Sequence, residues 1–279
     1  IMFLGAVLSR PLLELLNTPD SIIDWCTSYL VILMVGCIGC AYYNILCGIL
    51  RGLGDSISAL IYLLVATVLN IILDIVFVSR FQTGVAYATV IAQAVSAILC
   101  FWKLLRMTDI FDFKFRHLKM KKKYTLEIIR LGLPSGITQA IFSMAMVIVQ
   151  SLTNSFGEMV IAANVIIMRV DGFAMMPNFS FGTAMTTYAG QNVGAHRMDR
   201  VEQGARQGTA IALGTSAVIT LLILVFGKNL MAIFTDTSEL VTLSANMMKI
   251  LAVGYLAMAI TQSLSGVMRG AGDTMTPMW

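Results

Sequence analysis

Apolar residues occur along this chain in continuous blocks, not in alternation. Stretches rich in Leu, Ile, Ala and Met occupy residues 22–48, 57–79, 84–104, 131–153, 159–189, 204–226 and 241–267, with a shorter one at 1–16. A helix needs roughly 20 such residues to cross the hydrocarbon core of a bilayer. The pattern therefore predicts seven spanning helices and part of an eighth. Strands of a membrane barrel would show short segments of alternating polarity instead, so the expected fold is all-α and polytopic.

The polar punctuation between the blocks repeats. One block closes with G-I-L-R-G-L-G-D-S at residues 48–56, and the last closes with G-V-M-R-G-A-G-D-T at 266–274. A displacement of 218 positions lays Gly48, Arg51, Gly52, Gly54 and Asp55 on Gly266, Arg269, Gly270, Gly272 and Asp273 without a gap. The copies lie six spans apart, so the two repeats run parallel. That predicts two parallel six-helix lobes, twelve helices in the intact molecule, related by an axis along the membrane normal. Residues 132–226 have no earlier partner and 57–104 no later one, which predicts roughly 86 residues before Ile1 and roughly 45 after Trp279. Within the chain the expected division is an N-lobe over 1–104, a cytosolic interlobe linker over 105–130 and a C-lobe over 131–279.

The repeated phrase suits a helix corner. Gly52, Gly54, Gly270 and Gly272 allow tight or left-handed backbone where a helix stops. Arg51 and Arg269 complement the carbonyl end, and Asp55 and Asp273 are placed to cap the next helix. A phosphate-binding loop is excluded, because no Lys-Ser/Thr comes after the glycines and no strand precedes them.

Composition agrees with the blocks: 58% of residues are hydrophobic, 12% are charged, and the mean hydropathy is +0.83. Soluble domains carry about twice that charged fraction. Most of the 19 lysines and arginines fall in alternate loops, around Arg51, over 103–130, over 197–206 and at Arg269. By the positive-inside rule those loops are cytoplasmic and the protein is a multi-pass membrane protein. The net charge of +4 is then a signature of topology, and no nucleic-acid partner is expected. The five cysteines, Cys26, Cys37, Cys40, Cys47 and Cys100, lie in or beside spans, which argues against a secreted-type disulfide framework. The segment F-D-F-K-F-R-H-L-K-M-K-K-K-Y, 111–124, reads as a basic linker drawn to the anionic membrane surface.

Taken together, R-G-L-G-D-S at 51–56, R-G-A-G-D-T at 269–274, G-L-P at 132–134, Pro177 followed by G-Q-N-V-G-A at 190–195, and L-N-I-I-L-D at 69–74 resemble the MATE (multidrug and toxic compound extrusion) transporter family. The resemblance covers essentially the whole chain in order, from the end of the family's helix 3 to its helix 10. It implies a secondary antiporter that exports organic, often cationic, drugs or toxins in exchange for H⁺ or Na⁺, by alternating access between two lobes. It implies no organic cofactor and no resident metal; the expected partners are small organic substrates and the bilayer, and a monomer is expected. G-L-P would open helix 7, and G-Q-N-V-G-A would close helix 8.

Polar groups inside spans are the candidates for chemistry, since each is costly in lipid unless paired or wet. Asn70 and Asp74 share one face of the run 57–79, and Thr89 and Gln93 stand on the returning run. With a turn near Phe81–Gln82, Asp74 and Thr89 would lie about 8 Å below the outer surface, and Asn70 and Gln93 about 14 Å. The resemblance assigns Asn70 and Asp74, and with them Thr89, to the N-lobe cation site, which in the family also draws on an Asp of helix 1. Asp74 has two open roles, ion coupling or hydrogen bonding between helices. Where the Na⁺-coupled branch places carboxylates in helices 7 and 10, this chain has Gln139, Ser143 and Gln150, and then Lys249, Thr261 and Gln262. Coupling is therefore expected in the N-lobe, with H⁺ ahead of Na⁺.

The run 159–189 carries Arg169 and Asp171, which are two apart and cannot pair with each other. Each is equally open to a structural ion pair or to a contact with cargo, and Lys249 is a candidate mate for Asp171. Pro177 should kink this helix by freeing the carbonyl of Phe173. Gln139 and Met175, the latter one of several methionines here, are further candidates for a substrate cavity. Two alternatives from other classes remain. A lipid-linked oligosaccharide flippase of the same fold would line its cavity with several arginines, whereas Arg169 stands nearly alone. An intramembrane enzyme would need a nucleophile with its base or a metal set, and His117 and His196 both fall in loops.

Overall fold

The computed structural model describes residues 2–15, 18–81, 85–107 and 121–279. Its helices are α1 (Met2–Leu15), α2 (Asp20–Gly52), α3 (Ser56–Phe81), α4 (Val85–Arg106), α5 (Lys122–Asn154), α6 (Glu158–Gly194), α7 (Met198–Ala232) and α8 (Ser238–Gly270), followed by a short 3₁₀ turn, Thr276–Met278. Seven of them, α2 to α8, are long and apolar enough to cross a membrane. Large apolar side chains such as Ile71, Val147 and Val225 lie bare along these helices, as they do where lipid is the solvent.

Several helices outrun the apolar blocks that predict them. α5 opens at Lys122 and α7 at Met198, ahead of the blocks that begin at 131 and 204. The apolar run ends where the hydrocarbon ends, but backbone hydrogen bonding continues into the polar layer. One expectation is corrected by this: G-L-P does not open a helix, since Gly132, Leu133 and a buried Pro134 lie well inside α5.

The chain divides into two compact units, Ile1–Lys119 and Met120–Trp279. Residues 108–120, which make up half of the expected linker and part of its basic cluster, and residues 82–84, where the turn between α3 and α4 is expected, lie outside the described residues.

In the first unit α2 and α4 approach closely. A Cβ on Gly36 would collide with Val90, and one on Gly39 would come within 3.3 Å of the Ala94 backbone nitrogen. Small residues are how helices gain packing in lipid, where burial of apolar surface drives little. Ser96 of α4 donates to the Tyr62 carbonyl of α3 at 3.0 Å, which fixes the third helix of the group. Below this contact Cys47, Leu50, Ala59, Cys100 and Leu104 form a buried cluster, with the thiol sulfurs of Cys47 and Cys100 3.6 Å apart.

The second unit is built around α6, α7 and α8. Ile166, Ile167, Val170, Ile223, Met231, Met248 and Tyr255 form its core, with Met175 packed against it. Towards the end of α8 the backbones almost touch: a Cβ on Gly266 would strike the Gly182 carbonyl, and one on Gly270 the Thr186 carbonyl. α5 packs only lightly on α6.

The repeated phrase folds the same way twice. Gly54 (φ +92) and Gly272 (φ +91) take the left-handed conformation that glycine adopts without strain. At the first corner Gly54 N–H donates to Arg51 (3.0 Å) and Asp55 N–H to Leu50 (2.9 Å); at the second, Gly272 donates to Arg269 (3.1 Å) and Asp273 to Met268 (2.9 Å). Asp55 then accepts from the Ser58 N–H at 2.9 Å and its hydroxyl at 2.7 Å. Asp273 accepts from Thr276 in the same manner, at 3.0 and 2.6 Å. These bonds hold both carboxyls below the usual carboxylate range: chiefly the Ser58 N–H for Asp55, which Lys103 assists, and chiefly the Thr276 hydroxyl for Asp273.

Candidate functional site

The polar face of the first unit stands on two helices that pack together. Asn70 and Asp74 are one turn apart on α3, and Thr89 and Gln93 are one turn apart on the neighbouring α4. Thr89 returns its hydroxyl hydrogen to its own helix, to Val85 at 3.2 Å. The other three do not close their bonding. Asn70 Nδ2, Asp74 Oδ1 and Gln93 Oε1 are each buried with no hydrogen-bond partner among the described residues.

Such atoms are rare in folded proteins because each forfeits hydration without a substitute. A carboxylate in mid-helix adds about 3 kcal/mol to the cost of insertion. Here one donor and two acceptors, all unsatisfied, come from adjacent helices. Two acceptor oxygens are what a hard cation uses, and a carboxylate oxygen is equally a seat for a proton. The donor set fits H⁺ or a small oxygen-seeking ion and does not fit a soft metal.

The second unit treats its polar residues differently. Asp171 of α6 accepts the Tyr255 hydroxyl of α8 at 2.7 Å. That corrects the candidate pairing with Lys249, which is exposed and makes no ion pair among the described residues. Tyr255 is reached from Asp171 because its phenol extends across the α6–α8 interface, whereas Lys249 is on the exposed side of α8. An acid from the family's helix 8 thus serves helix 10, which has no carboxylate of its own at this depth. Arg169 is exposed and unpaired among the described residues, and Gln139 is exposed on α5. α6 continues through Pro177 as one helix. The next residue, Asn178, is buried and ties three helices, donating to the Tyr255 carbonyl at 3.4 Å and accepting the Ser216 hydroxyl at 2.7 Å.

Sequence reasoning did not anticipate Tyr255 or Ser216, nor the Lys103–Asp55 ion pair at 3.4 Å that ties α4 to the first corner. A polar residue in every helix at similar depth was the available signal for the Asn178 group.

Seven long apolar helices, with unsatisfied polar groups on two of them, define a multi-pass membrane protein. A family model described as MatE matches residues 1–76 and 134–279, and the chain belongs to that family of transporters. The probable multidrug resistance protein YpnP of Bacillus subtilis is 31% identical over 96% of this chain and 60% of its own length. The probable multidrug resistance protein NorM of Thermotoga maritima is 26% identical over 99% of this chain and 62% of its own. A crystal structure of a MATE protein in the bent conformation superposes with a TM-score of 0.90 at 22% identity, over 100% of this chain and 62% of that one. The fold is therefore that of the twelve-helix MATE transporters. The chain spans about 60% of the length of the curated relatives it matches.

Proposed function

We propose that this chain carries the ion-coupling half-site of a secondary antiporter that exports organic, often cationic, compounds in exchange for H⁺ or Na⁺. The observation that carries the reading is the set of three buried, unsatisfied atoms on Asn70, Asp74 and Gln93. Protonating Asp74 neutralises the acid, and a cation seated against it and Gln93 also gives both orphaned acceptor oxygens a partner. A state that closes around the ion is favoured when it is bound, and cargo favours the other state; exchange follows from differential affinity alone. The names of the relatives, which are multidrug resistance proteins, support the choice of cargo. Asp171, Arg169, Pro177, Gln139 and Met175 are proposed to lie along the cargo's route, with the basic loops cytoplasmic in the plasma membrane and the protein acting as a monomer.

The experiment is efflux of a fluorescent organic cation from vesicles that hold the intact protein, with an H⁺ or a Na⁺ gradient imposed alone. One gradient is expected to drive export and Asp74→Asn to abolish the drive. Unchanged export in the variant removes Asp74 from coupling. A cysteine placed at Lys121 should label only from the cytoplasmic side, and labelling from outside reverses the orientation.

A further inference from the structure

A second polar feature lies away from the half-site, at the corner between α6 and α7. There a cavity of about 500 Å³ opens between the last turns of α6 and the first turns of α7, lined by Tyr188, Gln191, Asn192, Arg200, Gln203 and Gln207. The two helices are pinned beside it. A Cβ on Gly204 would collide with the Tyr188 ring and one on Gly208 with Met185, so both side chains pack directly on bare α7 backbone. The Tyr188 hydroxyl completes the clip by donating to the Arg200 carbonyl at 3.0 Å. The cavity walls are thus held together by Tyr188, itself one of the lining residues, and by Met185 packed on Gly208 behind it.

The charges of this corner are unevenly committed. Arg197 grips Asp199 through two bonds, at 3.0 and 2.8 Å, and Arg206 holds Glu202 at 2.7 Å. Both nearby carboxylates are therefore occupied by their own arginines. Arg200, the remaining arginine, faces the cavity, and its guanidinium has no partner among the described residues. The Gln203 and Gln207 amides beside it are likewise unengaged among the described residues. An unpaired guanidinium flanked by amide donors is a recognition set for a phosphate, which accepts a forked pair of bonds from arginine.

The position selects the source of that phosphate. α6 has 37 residues and α7 has 35. A helix of that length is about 50–55 Å long against a hydrocarbon core of about 30 Å. The terminal turns of both helices consequently reach through the headgroup layer, where lipid phosphates are held. Basic pockets between helices at that level take anionic headgroups.

We propose that the α6–α7 corner binds the phosphodiester of an anionic phospholipid headgroup, with Arg200 as the charged fork and Gln203 and Gln207 as supporting donors. The site is independent of the ion-coupling reading: it lies in the other unit and uses none of the same residues.

The test titrates the purified intact protein, in neutral detergent, with dioctanoyl phosphatidylglycerol and follows binding by thermophoresis. Dioctanoyl phosphatidylcholine and sodium phosphate form parallel arms. Saturable binding of phosphatidylglycerol is expected, about tenfold tighter than phosphatidylcholine. Inorganic phosphate is expected not to displace it at equal concentration. Arg200→Gln should weaken phosphatidylglycerol about tenfold, whereas Lys228→Gln, which removes an equal charge at the far end of α7, should leave it unchanged. Arg200→Lys keeps the charge and the stem, so it keeps the test decisive if the glutamine variant does not fold; about threefold loss is expected. Equal binding to the wild type and both Arg200 variants overturns the proposal, as does equal binding of phosphatidylcholine. Displacement by inorganic phosphate at matching concentration would make the cavity a site for soluble anions and overturn the lipid assignment.

Discussion

The two units spend their buried polar groups in opposite ways. In the second, Asp171, Tyr255, Asn178 and Ser216 bond to one another or to a backbone carbonyl across α6, α7 and α8. In the first, Asn70, Asp74 and Gln93 keep atoms with no partner among the described residues. Satisfied networks rigidify a helix bundle, and unsatisfied ones store free energy that a ligand can release. A fold with duplicated corners thus contains one unit whose polar centre is complete and one whose centre is waiting to be completed. The proposed ion-coupling role of the first unit rests on this contrast, without reference to which unit touches cargo.

The sharpest break of that contrast is at Asp74. Asp74→Asn should lower gradient-driven export by about a hundredfold, or roughly 2.7 kcal/mol at 1.36 kcal/mol per decade. Its thermal stability in detergent should be equal or higher, because an acid whose Oδ1 has no partner among the described residues is replaced by a neutral amide. Loss of stability together with loss of export would show that Asp74 is structural. The opposite signature belongs to Asn178. Asn178→Leu should cost about 2 kcal/mol in unfolding measurements, since it strands the Ser216 hydroxyl and takes the second donor from the Tyr255 carbonyl. Retention of full stability would mean that the hub is redundant.

Tyr255→Phe tests whether the second unit takes any part in coupling. It removes the one donor that Asp171 has among the described residues and should cost about 1 kcal/mol, with export within threefold of wild type. A fall as deep as that of Asp74→Asn would move the coupling site. The smallest effect is expected at the corners, where both pKa values are lowered. An ionised Asp55 or Asp273 therefore stabilises the fold fully above the ordinary carboxylate value, about pH 3.9, and that contribution fades as pH falls through the lower folded value. Between pH 5 and 8 neither corner should titrate. Circular dichroism melts of Asp55→Ala and wild type should differ at pH 7, and the difference should shrink progressively as pH falls below the ordinary carboxylate value; a constant difference would exclude the charged cap.

Much of this was legible in the order of residues. Block lengths give the seven spans, and the displaced R-G-x-G-D phrase gives two corners whose hydrogen bonds match pair by pair. Asn70, Asp74 and Gln93 stand out because a polar residue in an apolar helix has to be explained. Which helix faces which could not be read. A helix that is apolar all round shows no preferred stripe, so Tyr255 meeting Asp171, Lys103 meeting Asp55, and Cys47 meeting Cys100 depend on packing that no period along the chain encodes. Helix ends were missed for a related reason: charge marks the membrane boundary, not the last hydrogen bond.

The glycine contacts between α6 and α8 also bear on movement. Where Gly266 and Gly270 rest on the carbonyls of Gly182 and Thr186, there is no side chain left to compress or rotate. Sliding one rod past the other would mean climbing over main chain. The pair is then geared: displacement applied at one end arrives undiminished at the other, and any give has to be found at lightly held α5.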